Sequence, residues 1–388
     1  MKEEKLFEHL RRKESGEAFP IEVVHHWYLA RKYVLDQFEK RGFAFWPGCP
    51  QNLQVAIVGD SPLMLAVLRQ VALSAHFINF VEYDGFGKLV CRNRTLISLV
   101  SRKKAEEIVG ELEKEENLCN LLKYCTYSVY GTSHHEDSYL DLQLEIVSEE
   151  PKKADLLITE EDILAFEKAQ TEKLDSIDTR NAVYAGRAYE LRSLINNVPY
   201  EGIFSVRRYY RAVNKFQFRL LEENKGEEGM KLVKDDWNEN LSAVKEGLSN
   251  LFCSDCFITR KKEIEKTKAV LEKRAKMKLS FSVVWESMNQ ALSLSEHSRW
   301  VVEKLILGYR PLNAQEWFTY ESCFGDQRKG YAKSLKSRSS DPAHIDLCSY
   351  RDVRRVDPDN LKYDSFLMLA IPMILDKSGK GRESGSDT

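Results

Sequence analysis

No stretch of this chain is apolar for long enough to cross a membrane. The best candidate, residues 366–375 (FLMLAIPMIL), is too short and is interrupted by Pro372. Neither sign of charge predominates. The 58 Lys and Arg against 60 Asp and Glu leave a net charge of −2, so there is no global attraction to nucleic acid or to an anionic membrane. The first residues, MKEEKLFEHLRRK, lack the apolar core of a secretory signal and predict a cytoplasmic protein. A second CxxC is missing as well. Cys253 and Cys256 stand as a lone pair without the partner spacing of a zinc ribbon or the strand–helix context of a redox motif. The eight cysteines are therefore read as reduced thiols, several of them buried.

What is present is enough for real cores. The chain has 388 residues, is 43% hydrophobic and 30% charged, and its length predicts two or three domains. Five segments follow from composition and periodicity: an N-terminal helical segment over 1–50, an α/β domain over 51–170, a helical connector over 171–278, a small α-rich domain over 279–376, and a low-complexity tail over 377–388 expected to be disordered.

The first segment carries Trp27, Tyr28, Ala30, Val34, Leu35 and Phe38 at helical spacing, with Gly42 and then Pro47-Gly48 to end it. Val55 to Val58 is a short β-branched run that fits a buried strand. Pro62 sits where a helix would start, and Leu63, Ala66, Val67, Gln70, Val71 and Ser74 continue that helix. Phe77 to Val81 reads as a second buried strand, ending in Glu82, Tyr83 and Asp84.

Strand, turn, helix and acid-tipped strand is the opening of a Rossmann-like unit. Its helix N-terminus can face a phosphate, and its acid can hold ribose hydroxyls. The expected cofactor contacts are Gly59, Ser61, Glu82 and Asp84, and the expected cofactor is NAD or another adenine nucleotide. The turn itself is degraded: Gly59 is retained, but Ser61 and Met64 stand where glycines would let pyrophosphate and strand approach, and Asp60 adds a negative charge.

Further along, residues 103–124 predict one charged amphipathic helix, Leu140 to Val147 an alternating strand, and Ala154 to Thr159 another short strand followed by helix-starting acids. His134 and His135 before Glu136 and Asp137 could hold a metal but read more simply as a polar loop, and no metal is expected. Helices are predicted over 178–197 and 205–223. In the second, Arg207, Arg208 and Arg211 interleave with Tyr209, Tyr210, Phe216 and Phe218. That pattern can serve RNA but fits better a domain-bridging helix with snorkelling arginines.

The stretch that organises the rest is 294–311, LSEHSRWVVEKLILGYRP. Leu294, His297, Trp300, Val301, Lys304, Leu305 and Gly308 recur at three and four. A helix 281–292 is expected before it, with Ser295 as the new cap, Gly308 as the left-handed end and Pro311 as the block. His297 and Trp300 then lie one turn apart on one side, a wall for a planar ligand. The bland reading is a core tryptophan and a satisfied buried histidine. After this helix, residues 325–344 predict a basic, serine-rich loop.

This last region resembles the RyR domain, the repeat named after the ryanodine receptor and found also in bacterial proteins. The resemblance rests on His297, Trp300, Gly308, Tyr309 and Arg310. It continues through His344-Ile345-Asp346-Leu347, Tyr350, Val353 and residues 362–370 (KYDSFLMLA) with Asp364. Residues 311–317 (PLNAQEW) depart from the receptor repeats toward the bacterial branch. Read with Tyr83, Phe86 and Gly87 and with residues 207–214 (RRYYRAVN), the domain order is similar to bacterial proteins that join a Trk-type NAD-binding domain to a RyR domain.

The resemblance implies a regulatory ligand sensor in a bacterial defence or stress setting. Its ligand, a nucleotide or nucleotide-derived signal, would be held by His297, Trp300, Tyr309, Arg310, His344, Tyr350 and Asp364. In that arrangement Trp300 and Tyr309 stack a base, His297, Tyr350 and Asp364 hydrogen-bond, and Arg310 holds phosphate. A homo-oligomer is compatible with this role, and nucleic acid is not an expected partner. The competing expectations are an NAD(P)-dependent oxidoreductase and a protein- or RNA-binding adaptor.

Overall fold

The computed structural model describes residues 21–82, 90–135, 138–175, 255–338 and 340–356. Asp84, Glu136, Asp137, the helices expected over 178–197 and 205–223, Cys253, Asp364 and the tail lie outside the described residues. Of Glu82 only the backbone is described.

The N-terminal helix α1 is Ile21–Arg41. It ends as its sequence predicts, with Gly42 at φ +65° and its amide on the carbonyl of Phe38. Then come β1 (Gln54–Val58) and α2 (Pro62–Ser74), the latter starting with proline in its first turn. β2 (Phe80–Glu82), β3 (Val90–Arg92) and β4 (Thr95–Val100) follow. Two short helices, α3 (Ala105–Lys114) and α4 (Glu116–Tyr124), lead to β5 (Thr126–Val129), β6 (Thr132–His135), β7 (Leu142–Val147) and β8 (Leu156–Thr159). α5 is Glu160–Asp175. The C-terminal part contributes α6 (Phe257–Ala275), α7 (Phe281–Ile306), α8 (Ala314–Ser322), α9 (Gly325–Lys336) and α10 (Tyr350–Val356).

The six-stranded sheet has the order β6-β5-β7-β4-β1-β8, parallel except for the edge strand β6, with helices on both sides. β7-β4-β1-β8 is the order of a Rossmann-like half, and the sequence turns from one side of β1 to the other between β4 and β8. Ligands in such sheets sit at that reversal, beyond the carboxyl ends of the strands.

Several expectations are corrected. The run at Phe77–Val81 is not the second parallel strand. Its end pairs antiparallel with β3 in a separate two-stranded sheet. The preceding residues are tied elsewhere: His76 Nδ1 to Asp141 at 2.8 Å, and the Ile78 amide to the Glu263 carboxylate at 3.1 Å. The neighbours of β1 are β4 and β8, so the acid at Glu82 does not belong to the ribose position of a parallel strand. A short apolar run reveals burial, not which strand it pairs with.

Residues 103–124 are two helices rather than one, parted at Glu115 (ψ 95°), whose carbonyl accepts the amides of Leu118 and Cys119. Thr132–His135 is an edge strand and not a loop, and the loop expected over 325–344 contains α9. The largest correction is α7. No break separates 281–292 from 294–306, so Ser295 is a fully buried mid-helix residue, and the residue at the cap position is Ser280. A serine within an apolar-periodic run carries no backbone constraint that obliges a helix to start there.

α7 packs on α2, α4 and α6. Its second half, through Val301, Val302, Leu305 and Ile306, is part of the same hydrophobic core as the sheet. A smaller core of Leu312, Tyr320, Leu335, Ala343 and Ile345 supports α8 and α9 beyond it. The residues after the helix are thus built onto the α/β core by a shared element. The inner face of α7 is not all apolar. Arg299 lies fully buried between Glu296 (2.9 Å) and Glu303 (2.9 Å). Nearby, the Arg31 guanidinium of α1 holds Asp255 with two bonds, at 2.9 and 2.6 Å.

Among the described residues no helix is long and apolar enough to cross a membrane.

Candidate functional site

Two places collect the residues that sequence reasoning selected. The first is the turn after β1. Gly59 takes φ +110°, a conformation open to glycine, and its amide donates to the Val100 carbonyl at 2.9 Å. Ser61 caps α2, accepting the Met64 amide at 3.4 Å, and its hydroxyl donates to the Glu160 carboxylate at 3.0 Å. Asp60 accepts from the Ser101 hydroxyl and lies 3.2 Å from Lys103 Nζ, which also holds Glu111 at 2.6 Å. Met64 is fully buried, its Cγ 3.5 Å from where a Cβ on Gly59 would stand.

The turn is a strand, a positive-φ glycine and a helix N-terminus, but the charges around it do not suit a phosphate. Two carboxylates, Asp60 and Glu160, flank the helix N-terminus where a pyrophosphate would otherwise be drawn. Of the four expected cofactor residues, the structure places Gly59 and Ser61 together here.

The second place is where α7 meets the loops leading into α8 and α10. The structure gathers His297, Trp300, Tyr309, His344 and Tyr350 there. His297 and Trp300 stack with centroids 6.1 Å apart and planes 25° apart. His344 meets the Trp300 ring edge-on at 4.9 Å and Tyr309 at 6.2 Å. Tyr350 approaches His297 at 5.8 Å. These are the offset and edge-to-face arrangements that aromatic quadrupoles favour.

Three local constraints bring the residues together. His297 and Trp300 are one helical turn apart on α7. Gly308, at φ +84°, ends that helix and turns Tyr309 back. A short parallel bridge between Arg310 and Ala343 sets His344 beside it, with the His344 amide on the Arg310 carbonyl at 2.9 Å. The α/β core fixes the cluster from below. Asn120 donates to the Tyr309 carbonyl at 3.0 Å, and Tyr139 to the Leu347 carbonyl at 3.1 Å.

The ring protons are assigned by their partners. His297 Nε2 lies 3.0 Å from the Cys348 carbonyl, so it is the donor. His344 Nδ1 accepts the Asp346 amide at 3.2 Å, which places the neutral ring's proton on Nε2. His297 is 4% exposed, while Trp300 is only partly buried. The indole is therefore not sealed in hydrocarbon, and polar groups lie around it.

Arg310 differs from its expected role. Its guanidinium donates to both oxygens of Glu316, at 2.7 and 3.0 Å, to Asp341 at 2.7 Å and to the Pro311 carbonyl at 2.9 Å. Glu316 in turn completes a capping box with Asn313 at the start of α8. The Arg310 hydrogen bonds, helped by Arg338 and the Asn313 amide, hold the Glu316 carboxyl down at about 2. Arg310 is thus the clasp of the α7–α8 turn, and a phosphate would have to displace a bidentate carboxylate to reach it.

The cation over the indole is one that the sequence had placed only by periodicity. Lys304 Nζ lies over the Trp300 ring, 5.5 Å from its centroid, and 2.7 Å from Glu303. Burial alone would raise the Glu303 carboxyl, but Lys304 and Arg299 together hold it below its ordinary value. The acid–base–acid spacing of Glu296, Arg299 and Glu303 was the available signal for this ladder.

Cys256 is buried and its thiol is pushed up to about 12, so it is no thiolate nucleophile. Among the described residues no group of three or more His, Cys, Asp and Glu side chains could hold a metal ion. No protein-family model, curated protein or solved structure matches the chain.

Proposed function

We propose that this chain is a regulatory protein that binds a nucleotide or nucleotide-derived signal at the aromatic cluster around Trp300, without chemical turnover. The observation that carries this reading is the juxtaposition of a partly open indole with His297, His344, Tyr309 and Tyr350, next to a lysine ammonium. A flat heteroaromatic ring is the ligand such a set of faces and edges favours, and the cation favours one that carries negative charge. The RyR-like pattern of His297, Trp300, Gly308, Tyr309, His344 and Tyr350 supports the same assignment, with the α/β part as the Trk-type partner domain.

The position of the cluster supports a regulatory role. The residues sit on α7, whose other turns belong to the core of the sheet. A ligand that shifts α7 would be felt by the α/β core, and a ligand acts by such differential contacts. The NAD(P)-dependent oxidoreductase reading draws less support, because Asp60 and Glu160 stand at the turn that would take pyrophosphate. The adaptor reading rests on Arg207, Arg208 and Arg211, outside the described residues.

The test is a thermal-shift and calorimetric screen of adenine nucleotides, dinucleotides and cyclic oligonucleotides against the full chain, with Trp300→Ala beside it. Binding by the native chain that Trp300→Ala abolishes is the expected result. Unchanged melting across all three classes sinks the reading.

A further inference from the structure

We propose that Lys304 is the residue of the Trp300 site that selects for ligand charge, and that it does so by leaving the indole face when the ligand arrives. The inference rests on the proposed function and deepens it. It names the group that takes the anion and excludes the one that sequence reasoning favoured.

Lys304 lies one helical turn beyond Trp300 on α7, with its ammonium over the ring. Its side chain is 12% exposed, and among the described residues its carboxylate partner is Glu303. That carboxylate is already held by Arg299 through its other oxygen, at 2.9 Å. Arg310, by contrast, spends its donors on Glu316, Asp341 and a carbonyl. Moving Lys304 therefore leaves Glu303 its bond to Arg299, a guanidinium it shares with Glu296, whereas moving Arg310 opens the clasp of the α7–α8 turn.

A flat ring can stack on the face that Lys304 covers only by lifting the ammonium from it. The ammonium is a compact charge on a flexible stem and remains tethered within a few ångströms of the ring. A phosphate attached to the stacked ring would meet it there. An uncharged nucleoside would displace the same ammonium and offer nothing in exchange. The site should thus discriminate nucleotides from nucleosides through a single residue that is already in place, and its ligand class is a planar base bearing at least one phosphate close to the ring.

The experiment measures the affinities of adenosine, adenosine monophosphate and a dinucleotide by calorimetry at two salt concentrations. The proteins compared are the native full chain, Lys304→Met, Lys304→Arg and Arg310→Lys, each first checked for a native melting transition. The native chain should bind the phosphorylated ligands roughly tenfold or more tighter than adenosine, with the difference shrinking at high salt. Lys304→Met should erase that preference while leaving adenosine affinity within a few-fold, and Lys304→Arg should restore part of it. One result overturns the assignment, a nucleotide preference that survives in Lys304→Met; its loss in Arg310→Lys would then give the role to Arg310. If none of the ligands, nor any in the wider screen, binds the native chain, the proposed function itself falls and this assignment with it.

Discussion

Tyr139, in the loop before β7, donates its hydroxyl to the carbonyl of Leu347, 208 residues later, at 3.1 Å. This bond ties the segment carrying His344 and Tyr350 to the α/β core, and Asn120 makes a parallel tie to Tyr309. The aromatic cluster is thus held by the domain that precedes it as well as by its own helix.

Tyr139→Phe removes the donor and leaves a carbonyl without that partner. The expected cost is about 1–2 kcal/mol in a urea-unfolding measurement. Hydrogen exchange should also quicken around 344–350 while β1 and β4 keep their protection, because the lost bond anchors the loop and not the sheet.

Arg299→Met removes the guanidinium that bonds two buried carboxylates, Glu296 and Glu303, and leaves Lys304 on Glu303. Uncompensated buried charge makes this a severe change, about 3–5 kcal/mol by chemical denaturation. Adding Glu296→Gln to the same chain should recover a measurable part of it. Additive losses in the double variant would show that the ladder is not an energetic unit.

Stability should depend on pH in two opposed ways. Burial pushes the Glu263 carboxyl up to about 6, against the pull of Arg260 and the Ile78 amide. A carboxyl whose folded value lies above its unfolded value of about 4.3 binds its proton more tightly when folded. Its contribution is therefore complete below pH ~4.3 and is lost as pH rises through about 6, a change of about 2 kcal/mol. Glu316 runs the other way. Held at about 2, mainly by Arg310, it stabilises the fold above its unfolded value and loses that contribution as pH falls toward 2. In a pH series of urea midpoints, Glu263→Gln should flatten the fall between pH 4.3 and 6. Glu316→Gln should flatten the decline at the acid end.

Gly308→Ala should cost about 1–2 kcal/mol although no atom lies within 4 Å of the added methyl. The cost comes from φ +84° alone. Gly308→Asn should cost less, since asparagine tolerates the left-handed region better. Equal melting temperatures for the native chain and the alanine variant would contradict this account.

How much of this was legible in the chain depends on the range of the interaction involved. The end of α1 at Gly42, the start of α2 at Pro62, the strand at Val55–Val58 and the end of α7 near Gly308 are written in local chemistry: a missing Cβ, a fixed φ, a run of β-branched side chains. The neighbours His297 and Trp300 followed from the helical period, whereas the contacts of His344 and Tyr350 with them join residues some fifty positions apart and no local period carries them. The period failed at Ser295, where a residue suited to a cap was carried through the middle of a helix. It failed again at Phe77–Val81, where His76 and Ile78 bind Asp141 and Glu263 instead of joining the sheet.

The amino-acid sequence by itself determined the alternation of strands and helices, the damaged glycine turn and the helix face carrying His297 and Trp300, because each depends on residues within one or two turns of each other. Only the tertiary structure decided which charges are spent and which remain. Arg310 is bound by Glu316, Ser61 by Glu160 and Arg299 by two glutamates, while Lys304 holds Glu303 and also lies over the indole. Whether a side chain is free to meet a ligand is set by partners brought in from elsewhere in the fold, and spacing along the chain carries no record of them.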